Sequence, residues 1–87
     1  MAHVRLPSLF AGLFPAAPRR LDIPAETVAE MIGALDAQWP GMRDRICDST
    51  PAIRRHMNIF VDGRRAVLAT PLQPEADVFV LTAVSGG

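Results

Sequence analysis

At 87 residues, 49% of them hydrophobic, the chain has material for one small domain and one modest core. Nine basic and nine acidic residues cancel to a formal charge of zero, with no block of one sign, which argues against nucleic-acid binding. The basic residues are all arginine, so no lysine amine is present for a Schiff base or an isopeptide bond, and the lone Cys47 can build neither an internal disulfide nor a metal cage.

Val4 and Leu6 alternate with Arg5 ahead of Pro7, predicting a first strand with Val4 and Leu6 turned inward. Pro15 to Pro18 interrupts the chain, and Leu21 and Ile23 resume the alternation in a second strand ending at Pro24. Between them, Phe10, Leu13 and Phe14 fit either a short helical turn or a cover for the core's edge. Thr27-Val28-Ala29-Glu30 is a capping box, and Val28, Met31, Ile32, Leu35 and Trp39 recur at helical spacing until Pro40-Gly41 stops the helix. Met42 to Ile53 reads as irregular, with a turn at Asp48-Ser49-Thr50-Pro51. Met57 to Val61 reads as a strand, Asp62-Gly63 as its turn, and a short paired segment is expected near Ala66-Val67-Leu68. After Pro71 and Pro74, Asp77 leads into a last strand that runs through Val84. One helix against a mixed sheet gives an α+β roll in which the first and last strands can pair in parallel.

The chain closes on Ser85-Gly86-Gly87, directly after an apolar strand. A glycine pair has no Cβ, so a narrow channel in a partner can enclose the backbone up to its last atom. The terminal carboxylate is therefore the candidate reacting group, against the bland reading of a frayed end. Period-two alternation turns Ile59, Val61, Val78 and Val80 toward the helix and puts Phe60, Phe79 and Leu81 together on the other face, a candidate docking surface continued by Val84 and Ser85. Arg64 and Arg65 read first as a solvated turn, with steering of an acidic partner as the alternative.

The order of elements, the Met57-Asn58-Ile59-Phe60-Val61-Asp62-Gly63 strand and turn, and the ending Val80-Leu81-Thr82-Ala83-Val84-Ser85-Gly86-Gly87 resemble the MoaD/ThiS family of ubiquitin-like sulfur carriers. Leu35 to Gly41, Arg45-Ile46-Cys47-Asp48 and His56 make the chain most similar to the CysO-like branch. The chain departs from that pattern at Thr82, at Glu75-Ala76-Asp77 and at Ala16-Ala17. The resemblance implies a β-grasp (ubiquitin-like) roll with four to five strands and one main helix, a domain over 1–84 and a flexible tail over 85–87. It implies a protein cosubstrate rather than an enzyme, with no bound cofactor. An E1-like enzyme uses ATP to adenylate the carboxylate of Gly87, reached along Gly86, and sulfur then replaces AMP to leave a thiocarboxylate. The acceptor implied is a cysteine-synthase-like enzyme, or alternatively the large subunit of molybdopterin synthase, which would make this chain the small subunit. A ubiquitin-like modifier joined to other proteins through Gly87 and a non-reactive interaction domain stand beside these readings.

The remaining residues carry weaker signals. Cys47 lacks an evident base and reads as a small apolar residue. His3 and His56 lie far apart in the chain with no third ligand type beside them, which speaks against a metal site. The start lacks a signal-peptide core and no apolar run approaches membrane-spanning length, so a cytoplasmic protein acting away from membranes is expected.

Overall fold

The computed structural model describes residues 1–82. β1 (Ala2–Arg5) is followed by a short helix α1 (Leu9–Leu13) and by β2 (Arg20–Ile23), which returns antiparallel to β1. The ambiguous stretch before β2 is thus both things at once. It makes a helical turn, and it buries Phe10, whose ring meets Phe14 edge to face at 5.5 Å. α2 (Val28–Gln38) begins where the capping box places it, the Thr27 hydroxyl accepting from the Glu30 amide at 3.1 Å. Val28, Met31, Ile32 and Leu35 are buried beneath it.

The expectation of irregular chain after Gly41 is corrected: Met42–Ile46 forms a helix, α3, with Met42 and Ile46 fully buried. Gly41 reverses the chain at φ 98°, a left-handed conformation that glycine adopts without a Cβ penalty. The Asp36 carboxylate then accepts from the amides of Gly41 and Arg43 at 3.1 and 3.0 Å, satisfying amide donors at the start of α3. The Asp48 turn forms as expected, its carboxylate accepting from the amides of Thr50 and Ala52.

β3 (Met57–Val61) turns at Asp62-Gly63, both at positive φ (49° and 85°), the geometry of a type I′ hairpin. The strand expected near Ala66-Val67-Leu68 is also corrected, since β4 is only Arg64–Arg65, paired with Val61 and Phe60. The chain leaves the sheet there because it is used elsewhere. The carbonyls of Leu68 and Thr70 accept from the first amides of α2, Ala29 and Val28, at 2.9 and 3.0 Å, while Ala66 and Leu72 enter the core. β5 (Asp77–Thr82) runs up the middle of the sheet.

The sheet order is β2-β1-β5-β3-β4, with β5 parallel to β1 and antiparallel to β3. That mixed five-stranded sheet, with α2 laid across one face, is the β-grasp arrangement. The inward sets Ala2 and Val4, Met57, Ile59 and Val61, and Val78 and Val80 are all buried, as the alternation requires.

Candidate functional site

Strand register assembles the outer face of the sheet. Phe60 lies directly opposite Phe79, Phe79 beside Arg5, Arg5 opposite Arg20, and Phe60 opposite Arg65. One row across all five strands therefore reads Arg20, Arg5, Phe79, Phe60, Arg65: two aromatics at the centre with arginines on both sides. Both rings are half-buried and lie outside the apolar core, on the face away from α2. The Arg5 guanidinium stacks over the Phe79 ring at 4.7 Å from its centroid, a cation–π contact that holds the ring in place while leaving its edge accessible. Leu81, 42% exposed, extends the apolar patch along β5 toward the chain's end, opposite Asn58, which accepts from the Arg65 guanidinium. Phe60, Phe79 and Leu81 are brought together on that face, as expected from the sequence. Val84, Ser85, Gly86 and Gly87 lie outside the described residues.

Where β5 reaches Thr82, a groove of about 580 Å³ opens beside it, with Arg5, Arg19 and Arg20 on one wall and Phe79 and Leu81 on the other. Because β1 and β5 are parallel, the corner after β1 stands next to the point from which the last five residues depart. No local pattern in the chain pointed to this cationic wall. Arg5, Arg19 and Arg20 meet β5 only through pairing between the two ends of the chain.

A second polar cluster sits one row away on the same face. The His3 ring bonds Asp22 through Nδ1 at 2.7 Å and Glu75 through Nε2. These bonds, Asp22's first and then Glu75's, hold the imidazole above its ordinary value, and the His3 bond in turn holds Glu75 below the usual carboxylate range. The carboxylates occupy opposite ring nitrogens and cannot converge on one ion. Among the described residues no group of three His, Cys, Asp or Glu side chains is placed to hold a metal. Cys47 is buried, and burial pushes its thiol up, away from the reactive thiolate. No helix among the described residues is long and apolar enough to cross a membrane.

No family model matches the chain, and no curated protein matches it in sequence. Solved structures match it over its whole length. A chain of the BexX/CysO complex of Amycolatopsis orientalis superposes with a TM-score of 0.87 at 19% identity, covering 100% of both chains. Mycobacterium tuberculosis CysO gives 0.85 at 22% identity, over 97% of this chain and 100% of that one. Small archaeal modifier protein 1 (SAMP1) from Methanosarcina acetivorans gives 0.74 at 26% identity, over 99% of this chain and 95% of that one. The chain thus has the β-grasp fold of the CysO and SAMP1 proteins, its structural neighbours.

Proposed function

We propose that this chain is a sulfur-carrier protein whose terminal Gly87 carboxylate is activated by an E1-like enzyme and converted to a thiocarboxylate. The observation that carries the reading is a conjunction. A Ser-Gly-Gly end follows the central strand of a β-grasp fold, and that strand presents Phe79 and Leu81, with Phe60 beside them, on the face away from the helix.

A carboxylate with an ordinary pKa near 3.5 is an anion at neutral pH and resists nucleophiles until one oxygen becomes part of a leaving group. In the activating step a Gly87 oxygen attacks the α-phosphorus of ATP and pyrophosphate leaves. Hydrosulfide then attacks the acyl carbon, the bond to AMP breaks, and AMP and a proton leave, so that the C–S bond of the thiocarboxylate takes the place of the C–O bond to phosphate with no change of oxidation state. The carrier supplies no catalytic group. It supplies a surface: docking of the Phe60, Phe79 and Leu81 face, with Val84 and Ser85 continuing the contact, lets binding energy position a tethered sulfur that free sulfide would leave unplaced. The CysO-like stretches at Leu35 to Gly41, Arg45 to Asp48 and His56 favour a cysteine-type acceptor enzyme, and the cytoplasm is the compartment that suits ATP-dependent activation and a single unpaired cysteine.

The likeness to small archaeal modifier protein 1 favours a second reading, conjugation of Gly87 to lysines of other proteins. Intact-mass analysis separates the two. With ATP, a sulfur donor and the host's E1-like enzyme, the carrier gains about 16 Da as one oxygen is exchanged for sulfur. Recovery mainly as isopeptide adducts, with no thiocarboxylate under reducing conditions, would overturn the carrier reading.

A further inference from the structure

Given the sulfur-carrier reading, on which this rests, we infer the chemistry of the partner surface: the activating enzyme meets the outer face with an apolar socket rimmed by carboxylates, and charge fixes the direction in which the carrier docks. Register sorts the polar groups of that face by sign. The row nearest the start of β5 joins Asp22, His3 and Asp77. Asp62 and Glu75 adjoin it, the Asp62 carboxylate accepting from the Asp77 amide at 2.9 Å and the Glu75 carboxylate bonding the His3 ring. The next row of the face, about 7 Å further along β5, is Arg20, Arg5, Phe79, Phe60 and Arg65. The face is therefore polarised along its central strand, with the acids at the far end and the arginines toward Thr82, where the last residues depart.

The arginines are left unanswered by the fold. Arg5 and Arg20 stand directly opposite each other, where like charges oppose folding, and neither makes an ion pair with a carboxylate among the described residues. Arg65 is held by Asn58, a neutral partner. The acids fare differently: Asp22 and Glu75 both bond the His3 ring, and Glu75 also faces the Met1 ammonium at 3.7 Å. A chain with no net charge thus keeps an uncompensated positive band around two half-buried rings. Seating those rings in a socket strips water from the band. Carboxylates opposite the guanidiniums then supply charge-assisted bonds, whereas a neutral or basic rim would leave buried cations unpaired. Turned end for end, the same carboxylates would meet Asp22, Asp62 and Asp77. Attraction at one row and repulsion at the other therefore select the orientation that carries Thr82 and the chain beyond it toward the acidic side of the socket.

The test uses the full-length protein, ATP and the host's E1-like enzyme, with pyrophosphate release read at limiting and at saturating carrier, in low and in high salt. Arg20→Glu and Arg65→Glu are each expected to lower kcat/KM roughly tenfold in low salt with kcat nearly unchanged, and the loss should shrink in high salt as the charges are screened. Arg45→Glu makes the same change of charge at an exposed position of α3 and should match the wild type. Arg20→Glu also sets opposite charges across the β1–β2 pair, so its urea midpoint should be no lower than that of the wild type. Absence of adenylate from the wild type would remove the carrier reading, and the inference with it. With the wild type adenylated, three results would each overturn the inference and leave the carrier reading standing: equal kcat/KM for all three variants, a loss that high salt leaves unchanged, or a wild type already dimeric through Phe79 before enzyme is added.

Discussion

Truncating Phe79 to alanine separates docking from folding. The ring is half-exposed, and its identifiable support is the Arg5 guanidinium at 4.7 Å and the Phe60 ring directly across the β3–β5 pair. An exposed cation–π contact contributes about 0.5–1 kcal/mol and a cross-strand aromatic pair about 0.2–1 kcal/mol, so Phe79→Ala should cost about 1–2 kcal/mol of stability. For a domain of this size that is a fall in Tm of roughly 5–15 °C. Phe10→Ala, at 2% exposure in the core, should cost about 3–5 kcal/mol. Urea unfolding of Phe79→Ala, Arg5→Ala and the double variant isolates the stacking energy, since the two side chains share it and their losses should not add. On docking, Phe79→Ala should raise the Kd for the activating enzyme by the equivalent of about 1–3 kcal/mol while the protein stays folded. A stability loss as large as that of Phe10→Ala would place the ring in the core and refute the register. Unchanged affinity for both the activating and the acceptor enzymes would refute the face as a docking surface.

Deleting Gly87, or changing Gly86 to valine, should leave the urea midpoint unchanged and abolish ATP-dependent adenylation; undiminished adenylate would exclude the tail as the reacting end. Asp36→Ala removes the side chain that accepts from Gly41 and Arg43, and should cost about 1 kcal/mol in thermal unfolding with α3 the part that frays. The His3 cluster makes stability depend on pH in a defined direction. His3 lies above its ordinary 6.5, so its contribution is full below that pH and is lost as pH rises through the folded value; Glu75 lies below its ordinary 4.5, so its share is present above that pH and is lost as pH falls through the lowered value. Urea midpoints of the wild type and His3→Gln should therefore diverge most between the ordinary values of 4.5 and 6.5 and converge as the pH rises through the raised His3 value, and parallel curves would refute the coupling.

The features set by neighbours in sequence were legible. The Thr27 box starts α2, the Asp62-Gly63 pair supplies two positive-φ residues for the hairpin, and strict alternation in β3 and β5 assigns every side chain of both strands to a face. Each depends on interactions within a few residues, so composition and spacing suffice. What the sequence did not disclose depends on distant partners. Met42–Ile46 becomes helical because Asp36, on another helix, accepts from its first amides and because Met42 and Ile46 find the core. β4 stops after two residues because the following chain bonds the start of α2. The arginine row flanking Phe79 and Phe60 exists only because β1 and β5, the two ends of the chain, pair in parallel at the centre of the sheet. Local pattern decides which face a residue takes, and only the closed sheet decides which residues share it.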